Sequence, residues 1–106
     1  MVDYPQPIGL TTGLTAYTDR LRTAIGHADT QHALTTQIIN MNDAISAETT
    51  TYCRAIHFLG EKSFFAEARY DDKLVKVSTE GLDRWKIKER KVTTMGVPRG
   101  DWSILG

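Results

Sequence analysis

The chain has 106 residues, with 13 Lys or Arg balanced by 13 Asp or Glu, and 41% of its side chains are apolar. That length suits one modest core and excludes two independent domains, and zero net charge excludes a global attraction to nucleic acid or to an anionic membrane. The lone Cys53 excludes an internal disulfide, and no run approaches the roughly 18 apolar residues of a membrane span.

Met1-Val2-Asp3-Tyr4-Pro5 lacks the charged and apolar regions of a secretory signal, so the sequence predicts a cytoplasmic protein or part of an intracellularly assembled particle. Residues 1–9 read as an N-terminal arm, because Pro5 and Pro7 precede any periodic pattern and Pro98 is the only later proline. Residues 10–96 read as one α+β domain. From Leu14 onward apolar residues recur three or four apart: Leu14, Tyr17, Leu21, Ala24 and Ala28, then Ile38, Ile45, Tyr52, Ile56 and Leu59. This is the spacing of a helical seam, with polar Gln31, Thr35, Asn42 and Thr49 holding its phase through the middle. Gly26 followed by Asp29-Thr30 gives a stop and then a cap, which predicts two helices over 12–28 and 30–59 (helical region 12–59), with one long helix as the alternative.

Beyond Gly60 the apolar period shifts to two. Phe64, Ala66, Ala68 and Tyr70 alternate with polar residues, Asp71-Asp72 reads as a turn, and Val75, Val77, Trp85 and Ile87 continue the alternation. The expectation is a three-stranded antiparallel β-meander over 64–93, packed on the second helix, with residues 97–106 as a C-terminal arm. Lysine is absent before Gly60, and ten of the thirteen basic residues lie from Lys62 to Arg99.

The basic residues Lys76, Arg84, Lys86, Lys88 and Arg90 are the candidate anion- or nucleic-acid-binding set, since a strand would place them in one row. Counted together, His27, His32, Cys53 and His57 suggest a zinc site. On helices the two pairs would stand roughly 30 Å apart, so no metal and no cofactor is predicted. His57 with Arg54 and Glu61 is the nearest approach to an acid-base cluster, and no catalytic residue is assigned. Arg99-Gly100-Asp101 reads as a turn. Tyr4, Ile8, Asn42, Trp102, Ile104 and Leu105 are the candidate contacts with another copy or another protein, because apolar anchors on arms commonly reach a neighbour.

Together these features predict a non-enzymatic structural or adaptor subunit. It self-associates as a homo-oligomer or docks with protein partners in a larger assembly, with a virion connector or tail-type component as one example by layout. The alternative is a small nucleic-acid-binding regulator using the basic strand face 84–90. No membrane association is predicted.

Overall fold

The computed structural model of the chain describes residues 1–4 and 9–105. Four long strands follow one another along the chain and pair antiparallel: β3 (Asp29–Met41), β4 (Ser46–Leu59), β5 (Lys62–Thr79) and β6 (Leu82–Thr94). Two-residue strands complete the sheet. β1 (Val2–Asp3) runs parallel to β6, β2 (Leu10–Thr11) pairs with β1, and β7 (Arg99–Gly100) pairs with the start of β5. The order is β2-β1-β6-β5-β4-β3, with one α-helix, α1 (Leu14–Ile25), and a 3-10 turn over Trp102–Ile104 among the described residues.

The sequence forms strands because β-branched residues concentrate where the sheet needs them and glycine stands where hairpins close. Thr49, Thr50 and Thr51 run consecutively through β4. Gly60 begins the two-residue turn between β4 and β5 at φ 62, and Glu80 and Gly81 turn β5 into β6 at φ 53 and 76. Two positive φ values in succession give the strand reversal the twist that tight hairpins require. The Asp43 carboxylate accepts from Ile45 N–H and Ser46 Oγ, closing the turn from β3 to β4.

Registers define an inner face. Ala47, Thr49, Thr51, Cys53, Ala55 and His57 of β4 stand opposite Leu74, Asp72, Tyr70, Ala68, Ala66 and Phe64 of β5. Cys53, Ala68, Tyr70 and Val92 form the core cluster, and Tyr4 packs against it. The Tyr4 hydroxyl shares a 2.9 Å hydrogen bond with that of Tyr17, which ties α1 to this face. Within the same interior Arg90 donates to both oxygens of the buried Asp72 carboxylate, at 2.8 and 2.9 Å. Its guanidinium lies 4.4 Å from the Tyr70 ring centroid, so a charged pair and a cation–π contact share one site.

The predicted two helices with a three-stranded meander are corrected to a sheet with one helix. Only 14–25 is an α-helix; the expected helix over 30–59 is the β3–β4 hairpin. Ile38, Tyr52 and Ile56 of the supposed seam lie on the outer face of that hairpin, where spacings of four and fourteen keep one strand face as well as they approximate a helical one. Asp71-Asp72 is no turn. β5 runs unbroken through both residues because Thr50 Oγ1 and Arg69 Nε donate to Asp71 while Arg90 neutralises Asp72.

The C-terminal segment folds back across one end of the sheet. Phe64 stands opposite Gly100, Asp101 N–H donates to the Ser63 carbonyl at 2.8 Å, and Ile104 is fully buried. Arg99 meets Glu67 at 3.2 Å and Asp101 accepts from Ser103 N–H, so the Arg-Gly-Asp triplet is a structural hinge. Gly100 has φ 105, and a Cβ there would overlap the Ser63 carbonyl oxygen. Gly100→Ala is therefore expected to destabilise the chain by about 2 kcal/mol and to release the Asp101 amide to fast exchange, read by denaturant titration and hydrogen exchange.

Candidate functional site

At the end of the inner face covered by the C-terminal segment, the strands bring two histidines together. His57 of β4 stands opposite Phe64, and His32 of β3 stands opposite Ala55, one diagonal step away. Their rings meet edge to face with centroids 5.8 Å apart. The Phe64 ring lies 5.9 Å from His57 and 4.7 Å from Trp102, which extends an aromatic wall outward. Ala55 and Ala66 pair in the floor beside it, so small side chains lie between the two rings of the wall and the edge of the sheet.

His57 is 6% exposed, and its Nδ1 is buried without a hydrogen-bond partner among the described residues. Native interiors seldom leave such an atom unpaired, because the desolvation is not repaid. Burial, followed by the proximity of His32, pushes the His57 pKa below its ordinary value, while a backbone contact with Phe64 opposes the shift. Burial lowers His32 as well. Both rings are consequently neutral at pH 7. Carried as the Nε2–H tautomer, neutral His57 keeps a lone pair on Nδ1 that can take a proton.

A cleft of about 460 Å³ opens at the other end of the sheet, lined in part by Asp3, Glu48, Asp71, Asp72 and Arg90. Its buried carboxylate, Asp72, is already held by Arg90. Tyr4 and Tyr70, nearby, have hydroxyls pushed well above the ordinary phenol range by burial.

The predicted basic row is dispersed by a bulge. Lys73 stands opposite Glu89 and Leu74 opposite Ile87, which leaves Lys88 as the extra residue. Arg90 falls on the inner face, Arg84 and Lys86 on the outer face opposite Val77 and Val75, and Lys76 shares the inner face with Trp85 while bridging Asp83 at 3.5 Å. Among the predicted contacts, Tyr4 and Ile104 are satisfied within the chain, Trp102 stacks on Phe64, and Leu105 N–H closes the 3-10 turn onto the Trp102 carbonyl. Asn42 sits in the exposed β3–β4 turn, and Ile8 lies outside the described residues. Arg54 and Glu61 do not join His57: Arg54 faces outward and pairs with Glu67 at 3.0 Å, while Glu61 is in the hairpin turn. His27 bonds the Ile104 carbonyl, and no group of three or more metal-binding side chains converges among the described residues. Separating the histidines by 30 Å assumed a straight helix. A hairpin returns the chain, which is how residues 25 apart become neighbours, and the bulge between Leu34 and Gln37 turns His32 onto the inner face where unbroken alternation would send it outward, so no sequence signal marked the pair.

Residues 1–91 match the model of the SnoaL-like domain. The chain belongs to the SnoaL-like family. Among solved structures it is similar to a candidate scytalone dehydratase from Novosphingobium aromaticivorans, with 25% identity and a TM-score of 0.71 over 90% of this chain and 62% of that one. A protein from Kribbella flavida shares 22% identity and a TM-score of 0.79, over 97% and 72% of the two chains. The type 2 LinA hexachlorocyclohexane dehydrochlorinase shares 15% identity and a TM-score of 0.73, over 93% and 67%. The latter two likenesses establish a shared fold. The SnoaL-like chain thus spans less than two thirds of the length of the dehydratase-type relative. No curated protein matches it in sequence.

Membership in this family corrects the expectation of a non-enzymatic structural or adaptor subunit, with its virion-component example, and with it the nucleic-acid regulator offered as its alternative. The fold is one used by enzymes, and the side chains read as a helical assembly seam belong to a sheet that carries a histidine site.

The SnoaL-like site has a pH signature. With both histidine pKa values lowered by folding, the unfolded chain binds more protons just below pH 6.5, so the histidine contribution to stability is complete above about 6.5 and is lost as pH falls through the folded-state values. Urea unfolding between pH 7.5 and 5 should show this loss, and His57→Gln should reduce its size.

Proposed function

We propose that the chain carries the proton-abstracting base of an elimination site, with His57 as the base, kept neutral chiefly by its burial, and His32 as its neighbour. The observation that carries this reading is the buried, unpartnered Nδ1 of His57, set against an aromatic wall and drawn below the ordinary histidine pKa. A neutral imidazole in a water-poor site is a competent base for a carbon-bound proton, because its lone pair is not occupied by solvent. The names of two similar proteins, a candidate dehydratase and a dehydrochlorinase, both describe loss of a small molecule from a carbon framework.

In such a reaction His57 Nδ1 takes a proton from carbon, the C–H electron pair becomes the new C=C bond, and the leaving group departs from the adjacent carbon with its bonding pair. Phe64 and Trp102 favour an apolar, ring-sized substrate.

Cyclic β-hydroxy ketones, which become absorbing enones on losing water, and chlorinated cyclohexanes, which release chloride, probe this chemistry directly. The wild-type chain should accelerate at least one of these eliminations, with kcat/KM rising with pH through a midpoint below about 6.5. His57→Ala should lower kcat/KM by about 10²–10⁴-fold. A wild-type chain inert towards every probe, or a His57→Ala variant as fast as wild type, contradicts the assignment.

A further inference from the structure

The long free edge of the sheet is unlike the rest of its surface. β3 is outermost in the strand order and pairs only with β4, whereas the opposite edge is blunted by the two-residue β1 and β2. Twelve of its thirteen residues are exposed. Leu34, Ile38, Ile39 and Met41 are all more than half exposed, as is Ile45 in the following turn. The strand contains no Lys, Arg or Pro, and Asp29 at its first position is its only formal charge. Sheet edges left to solvent normally carry such charges or prolines to discourage pairing, and β3 has only a bulge between Leu34 and Gln37.

We propose that two copies of the chain pair β3 to β3 across a two-fold axis, continuing the sheet from one subunit into the next and closing the open flank of the histidine pair. A second copy fits better than a foreign strand. Antiparallel self-pairing across a two-fold brings the same surface to both sides, and a strand whose one formal charge, Asp29, stands at its end sets no like charges opposite each other. A foreign partner would be selected by a charge pattern, which this edge lacks. The area is of the right order: the four exposed aliphatic side chains of β3 in each copy, at roughly 100 Å² each, remove about 800 Å² of apolar surface between the two copies. The backbone and polar side chains along the edge then bring the contact to the about 1,200 Å² at which specific interfaces begin.

The consequence for the site follows from sheet geometry and rests on the reading of His57 and His32 as catalytic machinery. His32 belongs to β3 and is the exposed member of the pair. Leu34, Ile39 and Met41 share its face, opposite Cys53, Thr49 and Ala47 of β4. A strand added beyond β3 lies about 4.8 Å away and places its own side chains beside His32, so the partner copy forms the missing wall.

Light scattering and hydrogen exchange test the pairing without any activity measurement, so an error in assigning the base leaves their outcome unchanged. At tens of micromolar the chain should run at twice its 11.9 kDa mass, and the amides of 29–41 should gain protection as concentration rises. Ile38→Lys and Met41→Lys replace exposed side chains on opposite faces of β3, so each should leave the circular dichroism spectrum unchanged while weakening dimerisation by at least about 100-fold. The proposal is overturned by a chain that stays at 11.9 kDa, by a dimer whose β3 amides remain unprotected, or by variants that dimerise as tightly as wild type. A monomer whose β3 amides are protected at every concentration would show the edge covered from within its own chain, and would overturn it as well.

Discussion

Fourteen consecutive residue pairs join β4 to β5, from Ser46 opposite Val75 to Leu59 opposite Lys62, with no slip in register. Strand alternation then leaves no freedom in what each position does. One face collects Ala47, Thr49, Thr51, Cys53, Ala55 and His57 against Leu74, Asp72, Tyr70, Ala68, Ala66 and Phe64. A shift of one residue would move His57, Tyr70 and Asp72 together to the outer face. The core, the buried ion pair and the candidate base therefore stand or fall with one ladder, and β3, β6 and the C-terminal segment attach to its sides.

The inner face is divided by chemistry along its length. At one end Asp72 and Arg90 satisfy each other under the Tyr70 ring, which allows two charges to lie in the interior without an unpaired one. At the other end His57 has an aromatic neighbour and a second histidine, but among the described residues no charge of opposite sign is found to support an imidazolium. At the first end the Asp72 hydrogen bonds keep Arg90 charged against the cost of burial, and at the second burial favours the neutral ring. Among the described residues Nδ1 of His57 is left without a partner there, a cost of burial that the ring contacts do not repay, and that unpaired nitrogen is what the proposed role rests on.

Much of this was hidden in the sequence for a physical reason. Strand alternation is legible when one face is large and apolar, as with Trp85 and Ile87 of β6, where the sequence reading of a strand agrees with the sheet. Along β4 the buried face consists of Ala, Thr, Cys and His, so the larger apolar residues Tyr52 and Ile56 mark the outer face and their spacing of four suits a helix equally well. Gly60 is legible in the sequence as the point where the apolar period changes, but it joins two strands and does not separate helix from sheet. Helix α1 was legible from the run Leu14, Tyr17, Leu21 and Ala24. The histidine site could not be read until the fold was right, since His32 and His57 become neighbours only across the β3–β4 hairpin. The basic row is divided for a smaller cause: one bulge at Lys88 places Arg84 and Lys86 on the outer face and Arg90 on the inner one.

The claim on which the functional account turns is that His57 is buried as a neutral ring with Nδ1 free. Long-range ¹H–¹⁵N spectra of the imidazole nitrogens across a pH titration measure both properties at once. The account predicts an Nε2–H tautomer for His57, with Nδ1 at the shift of an unbonded lone pair, and a midpoint below about 6.5. A His57 that titrates above that value, or one protonated on Nδ1 in its neutral form, would contradict it.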